Sequence, residues 1–569
     1  MSNINLSVLN GRNGLILDGV ARDGRLGDAV SSAGDINNDG LADILVGARD
    51  ANSGRGLVAV VFGSSNGFAG DNEDFDGRLT AFDLDGSNGF RITSSSTRDL
   101  GASVSNAGDV NNDGIDDFII GASNTNDDRG DSYVIFGRES LEDVELNELD
   151  GSNGFKVDGI AAGDFFGFDV TDAGDLNNDG IADVAISAPF TDAEGSANAG
   201  ATYVIFGRDG SFPDDLDLAN LDGTNGFTIN GADSGDLIGE SISSAGDLNG
   251  DGIDDLLIGS RFSDPGDRNN AGTTYVLFGR DGGFTTEVDL SSLGSDGITI
   301  SGISAVDASG TSVASLGDIN DDGFNDIGIG APLRDSGAEN AGQGYVIFGQ
   351  ESGFDAGFLR LSNLDGSDGF AINGIAVDDQ LGTDISGVGD VNNDGFNDFA
   401  VSAVGADNEA GTSYVVYGQD SAFESTLNVS DLNINTGFEI DGVVETNRSG
   451  ESISGAGDFN GDGIDDLLVG APQVSLSEQG RNVGQAYVLF GRIENLGDVN
   501  DDGAYTTEDA YLISRVAAGI DSSFEAFPDL DPLLVGDVNS DGFVSGLDSA
   551  IVYSAANGGT SNFALADFD

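Results

Sequence analysis

Asp35, Asn37 and Asp39 put oxygen-bearing side chains at alternate positions of the stretch DINNDGLAD, which Asp43 closes. Gly40 permits a sharp turn between them. The carbonyl of Leu41 offers a further oxygen while its side chain is free to pack inward. Five or six hard donors carrying several negative charges suit calcium, whereas magnesium wants a smaller, stricter octahedron with more retained water. Softer transition metals would call for sulfur or imidazole, and the 569-residue chain contains neither cysteine nor histidine. That absence also excludes disulfides and cysteine or histidine nucleophiles.

The same residue types recur at positions one, three, five, seven and nine of six further stretches. These are Asp109, Asn111, Asp113, Ile115 and Asp117; Asp175, Asn177, Asp179, Ile181 and Asp183; and Asp247, Asn249, Asp251, Ile253 and Asp255. Then come Asp318, Asn320, Asp322, Phe324 and Asp326; Asp390, Asn392, Asp394, Phe396 and Asp398; and Asp458, Asn460, Asp462, Ile464 and Asp466. Successive copies lie 66 to 74 residues apart. Asx turns alone would keep the glycine but need no set of four oxygen side chains. Seven recurrences therefore point to calcium ligation.

The elements that must hold these loops repeat with them. In residues 226–279 one short run, LIGESISSAG, precedes the loop and another, DDLLIGS, follows it. A third, TTYVLFG, comes after a polar connection, and a fourth has the form GF-x-I-x-G. Each is rich in Val, Ile, Phe or Tyr and bounded by glycine or aspartate, with no helical period between them. Four antiparallel strands repeated radially make a propeller blade. The fold class expected is all-β, a seven-bladed β-propeller with four-stranded antiparallel blades over residues 1–492. The fourth-strand motif also occurs seven times, but its copy at 14–19, GLILDG, stands before the first loop. The N-terminal strand is therefore expected to complete blade seven, which removes a pair of exposed sheet edges.

This array resembles the FG-GAP repeats of the integrin α-subunit propeller. The motif's closing residues stand here as GAP at 330–332 and 470–472 and SAP at 187–189. Its FG element stands as Leu26-Gly27, Phe166-Gly167 and Leu381-Gly382, loosened to Ser-Gly at 309–310 and 449–450. The resemblance covers roughly residues 3–491. It implies that the face opposite the calcium loops is the ligand face. Segments 190–200, 261–272 and 333–342 fall there, with Arg261 and Arg334 standing out in so acidic a chain.

After Gly491 two loops follow in a different register: Asp498, Asn500, Asp502, Ala504 and Asp509, then Asp537, Asn539, Asp541, Phe543 and Asp548. The acid has moved from position nine to position twelve, and each loop runs into a helical pattern carrying Leu512, Ile513 and Val516 or Leu547, Ala550 and Ile551. Twelve-residue loops of this kind belong to helical calcium hands. The pair over 493–560 looks like a dockerin, a small α-helical module that plugs into a cohesin; residues 561–569 form a tail. The family's contact positions correspond to Thr507, Glu508, Gly546 and Leu547, which are not the usual Ser/Thr pairs. The expected calcium count is about nine, seven in the propeller and two in the tail module.

The chain carries 100 acidic against 21 basic residues, net −79, with Lys156 as its one lysine. Nine divalent ions would neutralise only part of that charge; the remainder suits a saline habitat or a strongly solvated surface. Such a chain avoids nucleic acid and anionic membranes, and no stretch is long enough to span a bilayer. The start, MSNINLSVLNGRNG, has neither the basic opening nor the apolar core of a secretory signal. The expectation is a non-enzymatic calcium-binding adhesion or ligand-binding protein, extracellular or at the cell surface of a bacterium or archaeon. Its partners would be a protein or glycan on the propeller and a cohesin-type protein on the tail module. The alternatives are a structural surface or matrix component, or a glycan-active enzyme working through two carboxylates. An acidic pair in the central channel would favour the last.

Overall fold

The computed structural model describes residues 3–65, 77–139, 144–351, 354, 358–476, 480–492 and 507–517. Among them seven sheets form, each of five strands. Blade three shows the plan. Val170–Gly174, Asp183–Ala188, Ala201–Ile205 and Gly226–Asn230 run antiparallel in sequence order. The calcium-type loop joins the first strand to the second. The second strand is buried along its whole length, which is why it reads as a continuous apolar run rather than an alternation.

The blades are not four-stranded as the sequence suggests. A fifth strand of two or three residues pairs in parallel with the fourth, and it comes from the next repeat: Glu287–Asp289 lies along Thr228, Ile229 and Asn230. So short a piece has no period to read. Aromatic side chains help to hold it. Phe284, just before this strand, stacks on Phe227 of blade three with ring centres 4.1 Å apart and planes 8° from parallel. Phe212 on Phe155 and Phe423 on Phe370 repeat the arrangement.

Two N-terminal strands close the ring. Gly14–Asp18 pairs antiparallel with Gln485–Leu489, as the fourth strand of blade seven. Asn3–Asn5 runs parallel to Gly437–Asp441 as the fifth strand of blade six. The seven first strands line the axis, and Val30–Gly34 packs beside both Ser103–Gly108 and Ile453–Gly457. Apolar clusters fill the spaces between neighbouring blades; the one between blades seven and one joins Leu15, Leu17 and Leu468 to Val30, Ile44 and Val46. Stability is thus distributed around the ring, with each blade leaning on two others. Outside the propeller, Thr507–Ala517 is an α-helix with Ala510 and Ile513 buried. No helix among the described residues is long and apolar enough to cross a membrane.

Candidate metal-binding loops

Each loop is built around its first aspartate. Asp35 accepts the amides of Asp39 and Gly40 at 2.9 and 2.8 Å, drawing the chain into a tight turn. Asp39 accepts the amide of Leu41 at 3.0 Å. Asp109 and Asp175 do the same in the next two loops, as do Asp247, Asp318, Asp390 and Asp458 in the rest. Position four bends with positive φ, 58° at Asn38 and 57° at Asp321. The position is occupied only by Asn, Asp or Gly across the seven loops, the residues that tolerate the left-handed region. That restriction was a readable signal, though the ligand spacing alone did not use it.

The ninth residue is the most constrained. Asp43, Asp117, Asp183, Asp255, Asp326, Asp398 and Asp466 are all fully buried. Asp43 accepts the amide of Gly63, at the end of the third strand, at 2.9 Å and that of Ile36 at 3.2 Å. The equivalent glycines bond to the equivalent aspartates in every blade. The loop's closing acid therefore ties three strands of its blade together. Burial pushes its pKa up to about 8, the amides pull it down, and Asp39 and Asp35 add repulsion. Asp183 and Asp398 reach about 9 for the same reasons.

Position three divides the loops. Asn37 turns its amide nitrogen to both oxygens of Asp43 at 3.2 to 3.3 Å, and Asn111, Asn177, Asn249 and Asn460 face their own ninth residues likewise. Asn320 and Asn392 instead accept the amide of position five. The position-seven side chains lie against the third-strand glycine, Ile181 on Gly207 and Ile253 on Gly279.

The donor set fits a hard cation. All side-chain donors are oxygens, and the ninth carboxyl lies within electrostatic reach of two others, whose repulsion a divalent ion would relieve. In five loops an amide nitrogen points at that carboxylate where the carbonyl of the same group, rotated, would face a cation. The groups are not already drawn into a coordination shell: among the described residues no three acidic side chains are placed to hold a metal ion. Their oxygens are occupied by the backbone amides named above. The ligands expected in the tail, Asp498, Asn500, Asp502, Ala504, Asp537, Asn539, Asp541, Phe543 and Asp548, lie outside the described residues. Asp509 falls within the helix Thr507–Ala517.

The central channel holds polar side chains that the sequence reading missed. Asp169, Ser241, Ser312 and Ser452 stand just before the first strands of their blades, Ser103 opens Ser103–Gly108 and Asp384 lies within Leu381–Gly389. Each accepts the amide that opens the following blade: Ser103 from Val170 at 3.2 Å, Asp169 from Ile242 at 2.8 Å and Asp384 from Ile453 at 2.7 Å. Ser241, Ser312 and Ser452 continue the ring. An acidic pair does therefore line the axis. Its oxygens are engaged, since Asp169 also accepts from Ser103 and Asp384 from Ser312, each at 2.8 Å.

On the opposite face Arg261 makes a two-pronged pair with Glu240 at 2.8 and 3.2 Å. Arg334 pairs with Asp307 at 3.0 Å. Both arginines are thus ordinary paired surface groups. That face also exposes aliphatic side chains, Ile160, Val306, Ile375, Val377, Val443 and Val444, all in connections from a fourth strand to the next blade.

The repeat profile of the FG-GAP family matches residues 26–61, 170–205, 239–277, 309–347 and 449–489. The chain carries FG-GAP repeats. The five matched segments fall on blades one, three, four, five and seven. Over 178 residues, 31% of this chain, it is 32% identical to integrin alpha-PS5 of Drosophila melanogaster. It is 31% identical to integrin alpha-5 of Xenopus laevis over 196 residues, 34% of this chain. A phosphatidylinositol-glycan-specific phospholipase D of Dictyostelium discoideum is 27% identical over 344 residues, 57% of this chain. The matches span 16%, 16% and 34% of those relatives' own length. The FG glycines of the repeat have a local reason: Gly27 sits at φ 83°, and a Cβ there would lie 2.3 Å from the Gln485 carbonyl oxygen.

Proposed function

We propose that this protein is a calcium-stabilised, non-enzymatic ligand-binding propeller of adhesion type, working extracellularly or at the surface of a bacterium or archaeon. The observation that carries the calcium reading is the sevenfold loop whose buried ninth aspartate sits beside two further carboxylates of the same loop. Each loop offers Asp, Asn, Asp, a main-chain carbonyl and Asp to one calcium ion. Extracellular calcium modules have dissociation constants of about 10⁻⁴–10⁻³ M. At tenfold excess over that constant one ion adds roughly 1.4 kcal/mol, so seven together rival the stability of an ordinary domain. Chelation should then lower the melting temperature of the full chain by tens of degrees, reversibly on adding calcium back. Equal melting curves with and without chelator would overturn the reading.

The likeness to integrin alpha chains supports a protein or glycan ligand on the face opposite the loops, where the exposed aliphatic residues lie. Over 493–560 we propose a dockerin-like assembly module with two further calcium ions and a cohesin-type partner. Pull-down from the native surface with and without calcium tests both contacts. A matrix role without a soluble ligand would leave that pull-down empty. The likeness to a phospholipase D and the axial pair Asp169 and Asp384 favour a second reading, hydrolytic chemistry in the channel. The hydrogen bonds that already occupy both carboxylates argue for a structural role instead.

A further inference from the structure

Position eight of each loop, the residue before the buried aspartate, reaches into the neighbouring blade. Asp116 of loop two accepts the amide of Asp35, the first residue of loop one, at 2.8 Å. Asp254 of loop four holds Asp175 of loop three in the same way at 2.8 Å, and Asp465 of loop seven holds Asp390 of loop six at 2.9 Å. Room is made for these carboxylates by the glycine before each first ligand. A Cβ on Gly34 would lie 2.3 Å from Asp116 Oδ2, and one on Gly174 would lie 2.4 Å from Asp254 Oδ2.

The other interfaces differ. Asn397 reaches the Asp318 carbonyl at a long 3.4 Å, and Asn325 fills the space beside Gly246. The remaining two have alanine, Ala42 beside Gly457 and Ala182 beside Gly108, which has no polar side-chain atom to offer; the Ala42 amide donates to the Asp458 carbonyl at 3.3 Å.

We propose that calcium binding, on the reading given above, is coupled between neighbouring blades in three pairs: loops one and two, three and four, six and seven. Asp116 lies between two ligands of its own loop, the Ile115 carbonyl and Asp117, so an ion there fixes its backbone and aims its carboxylate. That carboxylate holds the amide of Asp35, whose side chain is the first ligand of loop one. Filling loop two therefore pre-forms loop one, and by linkage the reverse holds with the same factor. Ala42 and Ala182 supply no such carboxylate, so this side-chain route of coupling is missing at the seven–one and two–three interfaces.

The test strips the full-length chain with chelator and titrates calcium back. Amide exchange then follows each loop separately while calorimetry counts ions. In the native chain residues 35–43 and 109–117 gain protection together. In Asp116→Ala the midpoint for 35–43 should rise by a factor of roughly five to a hundred, with 175–183 and 247–255 unmoved. Asp116→Asn keeps an acceptor and should shift it less, which preserves the test if the alanine variant folds poorly. Ala42→Asp should draw the transitions of loops seven and one together. Calcium uptake with the same midpoints in native chain and Asp116→Ala overturns the coupling and leaves the calcium reading standing. No uptake by the native chain overturns the calcium reading itself.

Discussion

The ninth aspartate of each loop serves the backbone whether or not a cation is bound. In blade three Asp183 takes the amides of Gly207 and Leu176 at 2.9 and 3.1 Å. Replacing it with alanine strands two buried donors, each worth roughly 1–3 kcal/mol. Asp183→Ala should therefore lower stability measurably in chelator as well as in calcium, by denaturant titration. Asp175→Ala frees only partly exposed amides, so its effect should be smaller without the ion. The residue types at these positions were legible because they recur. The partner of the ninth was not, since Gly207 lies 24 residues away and nothing in spacing joins the two.

The axial carboxylates make a second test at this scale. Burial holds Asp384 up to about 7 and Asp169 up to about 6, against an ordinary 3.8. The folded chain keeps protons there that the unfolded chain releases. The stability this contributes is present at acid pH and is lost as pH rises through 6 to 7. Melting temperature should fall between about pH 4 and 7 from this source, and the fall should be shallower in Asp384→Asn. An identical slope in the variant would remove Asp384 from the account.

Strands that are short, numerous and nearly identical make element boundaries easy to read and pairings hard. The four long strands of each blade carried apolar runs between glycines. The fifth did not: Val144–Glu145 and Asp215–Leu216 are two residues each. Their place on the preceding blade follows from packing, with Phe212 on Phe155 as its marker. The same scale governs the N-terminus. Leu15, Ile16 and Leu17 are at most 2% exposed within blade seven, and burying such a side chain is worth about 1.5–3 kcal/mol. Removing residues 1–20 should destabilise the whole ring, read as a large loss of melting temperature by circular dichroism. Removing only residues 1–9 takes away the parallel strand Asn3–Asn5 with the buried Ile4, Leu6 and Leu9 but leaves Gly14–Asp18 in place, so it should lower the midpoint while keeping a cooperative transition.

Across the whole molecule the inter-blade contacts follow one rule with local exceptions. The third strand's exit donates to the preceding loop at every interface, from Arg138 to the Ile36 carbonyl round to Ser64 and the Phe459 carbonyl. Position eight varies between Asp, Asn and Ala, and the axial ring has Ala29 where other blades have Ser or Asp. The ring is thus uniform in architecture but uneven in how firmly neighbours are joined. Repeat counting revealed the first property. The second needed the geometry, because a lone Asp or Ala beside a conserved-looking motif reads as ordinary surface variation.

The strand Gly14–Asp18 also has a consequence in time. It is synthesised before every blade, yet its partner Gln485–Leu489 emerges hundreds of residues later. At a synthesis rate of about 5–20 residues per second the delay is roughly 25–90 seconds. Throughout it, the apolar run LILD has no sheet to join, and the ring cannot shut. Each nascent chain must carry this strand unpaired until residues 485–489 have been made.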